Sequence, residues 1–240
     1  MRNGYNIPMK PVLVVSKCLS FGRCRYNGET LSDPTVESLK EHVDFIPVCP
    51  EMEIGLGVPR DPIRIVRDRA RRVLYQPATG RDLTSAMRSF GAAFHARLPE
   101  VDGYILKSRS PSCGPADVKV YAGFNVNAKP LAGAGFFAVI LRRSRPGIPL
   151  EDEERLKDPL IREHFIARIF ARARLRTLLK TGRVRDLVEF HTRNRKLLFG
   201  VNPVRARTLD RIVGHRGISG RRGMRARYQE ELDRLFRRQY

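Results

Sequence analysis

Three short apolar runs, each followed by a cysteine beside a turn-forming residue, constrain the fold of this chain more than any other feature. The runs and their cysteines are 12–15 before Cys18, 45–48 before Cys49, and 104–106 before Cys113. Continuous apolar runs of this length, bounded by turn residues, are typical of strands buried in a parallel sheet. In an open α/β sheet, ligands bind beyond the carboxyl ends of the strands, so we expect these cysteines to face one another.

Helical patterns alternate with these strands. Asp33 and Pro34 cap a predicted helix over 35–42, and the spacing of apolar residues predicts another helix from 82 to 98. The other predicted elements are a hairpin (63–66 and 72–75), a strand (103–107), and an apolar segment (135–141) that suits either a strand or the start of a helix. The alternation predicts an α/β fold, with a mostly parallel sheet flanked by helices and a smaller all-helical C-terminal part.

The character of the sequence changes near residue 151. The acidic run 151–154 is predicted to begin a helix, because carboxylates are favourable at the positive end of the helix dipole. An amphipathic helical pattern follows it. We therefore predict an α/β domain over 11–150, a linker helix over 151–182 and a basic helical domain over 183–240.

The chain is strongly basic, with 46 Lys and Arg against 25 Asp and Glu and a formal net charge of +21. Residues 161–240 hold 22 of the basic residues and only seven of the acidic ones. A protein this basic usually binds a polyanion, and nucleic acid is the first candidate. The alternative is a solvated, arginine-rich surface that has no such partner.

The compartment follows from the cysteines and the amino terminus. Four cysteines, without an apolar signal region in residues 1–10, predict a cytoplasmic protein with reduced thiols. No run approaches the roughly 18 apolar residues of a membrane span, so we expect no membrane association. Nothing in the sequence indicates an oligomeric state.

The wide separation of Cys18, Cys49 and Cys113 argues against a zinc ribbon, whose ligands come in close pairs. Three convergent thiolates suit a 4Fe–4S cluster in which the protein leaves one iron unligated. The alternative is that these cysteines are small buried apolar side chains. Cys24, which lies between two arginines, is either a fourth ligand or a thiol without a role in metal binding.

Four motifs stand in order along the first part of the chain. They are Val-Ser-Lys-Cys-Leu leading to Arg-Tyr-Asn-Gly (15–28), Val-Cys-Pro-Glu (48–51), Gly-Leu-Gly-Val-Pro-Arg (55–60) and Lys-Ser-x-Ser-Pro-Ser-Cys-Gly (107–114). Together they resemble the thiouracil and thiouridine desulfidases, over roughly 11–150. Beyond them, 160–170 and 187–196 resemble the linker and start of a YbgA-like domain, which is partial here.

The resemblance implies a desulfidase whose 4Fe–4S cluster is held by Cys18, Cys49 and Cys113. It places Cys24 at a variable position of its loop, outside the ligand set. It also implies that the open iron takes sulfur from a thiolated pyrimidine. Two-domain members of the family act on 4-thiouridine in transfer RNA (tRNA) and single-domain members on free thiouracil, so either substrate is an expected partner.

Side chains near the cysteines are candidates for catalysis. Glu51 follows Cys49 by two residues and is the candidate base that activates water; its alternative role is an ion pair with an arginine such as Arg60. Ser110 and Ser112 flank the third cysteine and are candidates for hydrogen bonds to the cluster or the substrate. Their alternative role is that of ordinary turn serines.

Arg25 and Arg60, from two glycine-rich loops, are candidates for binding a phosphate or a pyrimidine oxygen, with surface roles as the alternative. His191 lies on an apolar helical stretch and is predicted to be a core residue without a catalytic role. A competing function is that of a basic RNA-binding protein whose cysteines are structural, as zinc ligands or free thiols.

Overall fold

The computed structural model describes residues 9–124, 129–181, 183–214 and 220–237. The first sheet is parallel and contains β1 (Val12–Ser16), β2 (Asp44–Val48), β6 (Gly103–Leu106) and β9 (Leu150–Asp152). The second sheet is mixed and contains β3 (Arg64–Asp68), β4 (Arg71–Gln76), β5 (Arg81–Asp82), β7 (Val118–Ala122) and β8 (Leu131–Gly133).

Helices flank the sheets and form the rest of the chain. The shorter ones are α1 (Pro34–Leu39), α2 (Pro50–Glu53), α3 (Thr84–Arg97) and α4 (Phe136–Ser144). The C-terminal ones are α5 (Pro159–Thr181), α6 (Val184–Val201), α7 (Pro203–Gly214) and α8 (Gly220–Phe236), and a 3₁₀ turn (Arg155–Lys157) precedes them. The predicted fold class is confirmed: a mostly parallel sheet with flanking helices, followed by a helical C-terminal region.

The order of strands explains where a site can form. The parallel sheet has the order β2–β1–β6–β9, so the carboxyl ends of β1, β2 and β6 lie side by side. The second sheet has the order β5–β4–β3–β7–β8, with β3 and β7 parallel and the other pairs antiparallel. Its β3–β4 hairpin confirms the hairpin predicted over 63–66 and 72–75.

The prediction that the acidic run 151–154 begins a helix is wrong. Glu151 and Asp152 belong to β9 and are buried beside β6. Arg155 and Arg168 compensate the Glu151 carboxylate, at 2.9 and 3.4 Å, which is what allows an acidic residue in a buried strand. Helix α5 begins only at Pro159, where the Asp158 side chain accepts from the first free N–H groups.

The apolar segment 135–141, which suited a strand or a helix, is the helix α4. Because side chains alternate between the two faces of a strand, those of β1 pack into two separate cores. Val14 packs between the sheets with Phe137 of α4, whereas Leu13 and Val15 pack on the opposite face against α1 and α5.

Helices α5–α8 enclose a third apolar core of their own, which includes Phe190, Leu209 and Tyr228. His191 lies in this core as predicted: its Nδ1 is 3.0 Å from the Tyr228 hydroxyl, and its Nε2 is 2.7 Å from Asp210 Oδ1. None of the helices in the described ranges is long and apolar enough to cross a bilayer.

Buried ion pairs dock these helices against the first part of the chain. The Asp102 carboxylate, 2% exposed, accepts from the backbone N–H of Val12 at 2.9 Å and from Arg176 of α5 at 2.8 Å. Arg172 also pairs with Asp233 of α8 and donates to the carbonyl of Gly147 at 3.2 Å. A Cβ on Gly147 would lie 2.5 Å from the Asp233 backbone, so this contact requires glycine.

Candidate active site

The carboxyl ends of β1, β2 and β6 open onto one cavity of about 370 Å³. Cys18, Cys49 and Cys113 all line it, each delivered by the loop that follows one of these strands. Cys24 lines the same cavity and is 3% exposed. The fold thus collects every cysteine of the chain at one sheet edge, the place where α/β proteins bind ligands.

The turn that carries Cys113 is fixed by short-range hydrogen bonds. The Ser110 hydroxyl oxygen accepts from the backbone N–H groups of Ser112 and Cys113, at 3.2 and 3.1 Å. Gly114 then closes the turn by donating to the Ser110 carbonyl at 2.8 Å. Ser110 therefore acts on the backbone of the turn, as a turn serine does.

The start of helix α4 is hydrogen-bonded to this turn. The N–H of Gly135 donates to the Gly114 carbonyl at 2.7 Å, and the N–H of Phe136 to the Pro111 carbonyl at 3.0 Å. A Cβ on Gly135 would lie 2.4 Å from the Ser112 carbonyl oxygen, so only glycine permits the close approach. The start of α4 thereby fixes the position of Cys113.

The surroundings of Cys24, Cys49 and Cys113 raise the pKa of each thiol. The pKa of Cys24 is raised to about 11, chiefly by its hydrogen bond with Cys18, and the hydrogen bond with Cys24 raises the pKa of Cys49. Burial raises the pKa of Cys113. A metal binds the thiolate form, so binding of a metal at these cysteines would release their protons.

The donor set at this cavity consists of cysteine sulfurs, which fits an iron–sulfur cluster. Within the described ranges, no group of three or more Cys, His, Asp or Glu side chains is arranged to hold one metal ion. Thiolate sulfur is the ligand that iron–sulfur clusters require.

Glu51 lies at the edge of this cavity and connects three of its loops. One carboxylate oxygen, Oε2, accepts from Nε and Nη2 of Arg60 at 2.9 and 2.7 Å. The other, Oε1, accepts from the Ser112 hydroxyl at 2.9 Å. The Arg60 ion pair that the sequence offered as the alternative role of Glu51 is therefore present, and Ser112, which is fully buried, orients the same carboxylate.

The two candidate substrate-binding arginines have different surroundings. Arg60 is 5% exposed, and its remaining N–H groups donate to the carbonyls of Gly57 and Cys24 at 2.9 and 3.0 Å. Arg60 is thus committed to protein acceptors. Arg25 is 24% exposed at the cavity lining, and it pairs only with the exposed Glu29 among the described residues, so its guanidinium remains accessible to a ligand.

Sequence reasoning missed a cation at this site. Lys107 lines the cavity, and its ammonium group forms an ion pair with Glu153, which is buried at 5% exposure. The Glu153 carboxylate also accepts from the backbone N–H and the hydroxyl of Ser108, at 2.7 and 2.6 Å. Lys107 and Ser108 begin the last of the four sequence motifs, so the sequence did point to them. Their pairing with Glu153 of the acidic run 151–154 could not be predicted, because these residues lie far apart in the sequence.

Comparisons with known proteins agree with this arrangement. The family model of 2-thiouracil desulfurases matches residues 13–153, more than half of the chain. The chain therefore belongs to the 2-thiouracil desulfurase family. The match contains all four cysteines, Glu51 and Glu153, and it ends before helix α5.

A curated relative is the uncharacterized protein YbbK of Bacillus subtilis (strain 168), which is 30% identical over 156 residues. These residues are 62% of this chain and 100% of that protein. A solved structure, that of the [4Fe-4S]-dependent thiouracil desulfidase TudS, aligns with a TM-score of 0.44 and 26% identity, over 62% of this chain and 95% of that one.

Proposed function

We propose that this protein is an iron–sulfur-dependent desulfidase that replaces the sulfur of a thiolated uracil with oxygen. The observation that carries the proposal is the convergence of the strand-end cysteines and the hydrogen-bonded Glu51 carboxylate on one cavity, in a chain of this family. The reaction is a hydrolysis: water adds to the thiocarbonyl carbon, the C–S bond breaks, and the products are the oxo-pyrimidine and sulfide. No electron is gained or lost.

Cys18, Cys49 and Cys113 would hold a 4Fe–4S cluster at the cavity. When bound, the cluster supplies an iron with an open position, which suits the soft sulfur of a thiocarbonyl. The Cys49 thiol donates to the backbone carbonyl of Cys24 at 3.6 Å. We assign Cys24 the role of a neighbouring thiol that packs against the ligands and is not needed to hold iron.

Glu51 is the proposed base. Its Oε1 accepts one hydrogen bond, from Ser112, and so retains a lone pair that can accept a proton from water. Arg60 holds the other oxygen through two N–H groups, which fixes the plane of the carboxylate. Arg60 and Ser112 are therefore positioning residues, and Ser110 shapes the turn on which Ser112 and Cys113 lie.

Arg25 is the proposed substrate-binding cation, because it lines the cavity and forms an ion pair only with the exposed Glu29 among the described residues. The Lys107 ammonium, which donates to Glu153 and Ser108, adds positive charge to the same cavity. A guanidinium recognises a pyrimidine oxygen or a phosphate through paired N–H donors. The candidate substrates are thiouracil, thiouridine nucleotides and 4-thiouridine in tRNA. The net charge of +21 favours a polyanionic substrate such as tRNA.

The test is turnover by protein loaded anaerobically with iron and sulfide, given 2-thiouracil, 4-thiouridine monophosphate or thiolated tRNA in parallel. The proposal predicts that at least one substrate yields its oxo-pyrimidine together with one sulfide per C–S bond broken. A cluster-loaded protein that converts none of them contradicts the proposal. If the thiolated tRNA is converted at a lower concentration than the other two substrates, RNA is the preferred substrate.

A further inference from the structure

Five arginines gather where the second sheet meets helix α4. Arg67 of β3 lies directly opposite Arg72 of β4 in the antiparallel ladder. The guanidinium groups of Arg72 and Arg88 lie over the same Phe136 ring, 5.3 and 5.9 Å from its centroid. The last turn of α4 adds two more, and we call this set the arginine patch: Arg67, Arg72, Arg88, Arg142 and Arg143.

The arginines of the patch lie close enough to repel one another. Burial lowers the pKa of Arg72, and the nearby charges of Arg67, Arg143 and Arg142 lower it further. Like charges placed directly opposite on neighbouring strands are destabilising. In the described part of the chain, Arg67, Arg72, Arg88 and Arg143 form no ion pair with a carboxylate.

The helical part behaves differently, although it carries most of the net charge. Many of its basic residues are neutralised by carboxylates within 4 Å: Arg168, Arg172, Arg176, Lys180, Arg185, Arg193, Arg195, Arg205 and Arg234. Local ion pairs therefore compensate part of the positive charge of the helical part. The arginine patch instead gathers several guanidinium groups at one surface.

The patch lies immediately behind the candidate site. Arg72 donates through Nη2 to the carbonyl of Ala134, next to Gly135, whose N–H bonds to the Cys113 turn at Gly114. Phe136, the ring beneath Arg72 and Arg88, donates its own N–H to Pro111 of that turn. A polyanion that covers the patch is thus held beside the loop that carries Cys113.

We propose that the arginine patch binds the phosphate backbone of an RNA whose thiolated base is the substrate; this inference rests on the proposed function. Guanidinium groups match phosphate oxygens through paired N–H donors, and several of them at neighbouring positions suit a chain of phosphates. Phe136 is 7% exposed beneath the guanidinium groups, so this surface has no aromatic ring to insert into a bilayer. The chemistry of the patch therefore fits RNA better than a lipid surface.

The test is a double substitution, Arg67→Gln with Arg143→Gln, which removes two charges and leaves the arginines stacked on Phe136 in place. Each phosphate contact contributes about 0.7 to 0.9 to the slope of log affinity against log salt. Removing two contacts should flatten the slope by about 1.4 to 1.8 and weaken tRNA binding on the order of tenfold at ~0.15 M salt. Turnover of free 2-thiouracil should not change, because neither residue lines the cavity.

The matched control is Lys40→Gln with Lys157→Gln, which removes the same charge from exposed residues paired with Glu37 and Glu154. This control should bind tRNA as the wild type does. Unchanged tRNA affinity in the patch variant, or an equal loss in the control, overturns the inference. So does a patch variant that loses binding to vesicles of anionic phospholipid while it retains binding to tRNA.

The two proposals fail separately. If the cluster-loaded wild type converts no thiolated substrate but the patch variant loses tRNA affinity, the proposed function is wrong and the RNA-binding surface stands. If the wild type is active and the patch variant binds and converts tRNA normally, the proposed RNA-binding role of the patch is wrong and the proposed function stands.

Discussion

At the scale of single residues, Glu51 connects the loops that build the cavity. It follows the ligand candidate Cys49, pairs with Arg60 of the glycine-rich loop and accepts from Ser112 beside Cys113. The carboxylate is therefore oriented before any substrate binds. Such preorganisation is what a general base needs, because the proton must be within hydrogen-bond reach.

Glu51→Gln is expected to keep iron and lose turnover. Glutamine retains the shape and the acceptor for Arg60 but cannot take a proton, and a positioned base contributes about 10²- to 10⁴-fold to the rate. Turnover of cluster-loaded protein is the measurement, with iron content and melting temperature as controls. Glu53→Gln, on the exposed face of the same short helix, is the matched variant and should be active. Near-wild-type turnover in Glu51→Gln would leave this residue a purely structural role.

Substitution of the cysteines separates ligands from neighbours. Cys18→Ala, Cys49→Ala and Cys113→Ala should each abolish iron incorporation, because each removes a thiolate at the end of a buried strand. Cys24→Ala should retain iron, although its thiol lies in the same cavity. Iron content after anaerobic purification decides this. Loss of iron from Cys24→Ala as complete as from the other three would make Cys24 a ligand and remove the open iron.

At the scale of elements, the start of helix α4 holds the Cys113 turn through glycine. In Gly135→Ala the new Cβ would lie 2.4 Å from the carbonyl oxygen of Ser112, a backbone atom that cannot rotate away. We expect lower stability and loss of iron, because the turn must shift. The control, Gly200→Ala in α6, meets nothing within 4 Å and should raise stability by about 0.5–1 kcal/mol. Thermal melting with iron analysis measures both, and a Gly135→Ala protein with full iron content would contradict the role of α4 in holding the turn.

The elements show what local sequence can predict. β1, β2 and β6 are predictable because strands buried on both faces leave continuous apolar runs, and their parallel order brings the cysteines together. Strand β9 is not predictable from local sequence, because its buried Glu151 is compensated by Arg168, which belongs to helix α5. The contact of Ser112 with Glu51 joins positions 61 residues apart, and no local pattern records it.

At the scale of the whole molecule, the C-terminal helices contact the parallel sheet through α5. They enclose a core of their own, and both apolar packing of α5 on β1 and buried charges join them to the first part of the chain. Asp102 is the centre of this contact, since it accepts both from β1 and from Arg176. Removing one partner of a buried pair leaves the other without compensation.

Asp102→Asn is therefore expected to lower the free energy of unfolding by about 1–3 kcal/mol. The matched control is Glu100→Gln, whose partner Lys180 is 3.5 Å away and largely exposed, so its loss should have almost no effect. Denaturant unfolding of the two variants measures the difference. Equal stabilities would show that the helices dock without this buried pair.

The desulfidase account is tested most directly by measuring uracil formed from 2-thiouracil, with the same protein preparation assayed before and after a chelator removes its iron. The account predicts about four iron per chain, uracil and sulfide in equal amounts before removal, and neither product afterwards. A colourless, zinc-loaded protein that binds RNA and forms no uracil would contradict it and would leave the cysteines a structural role.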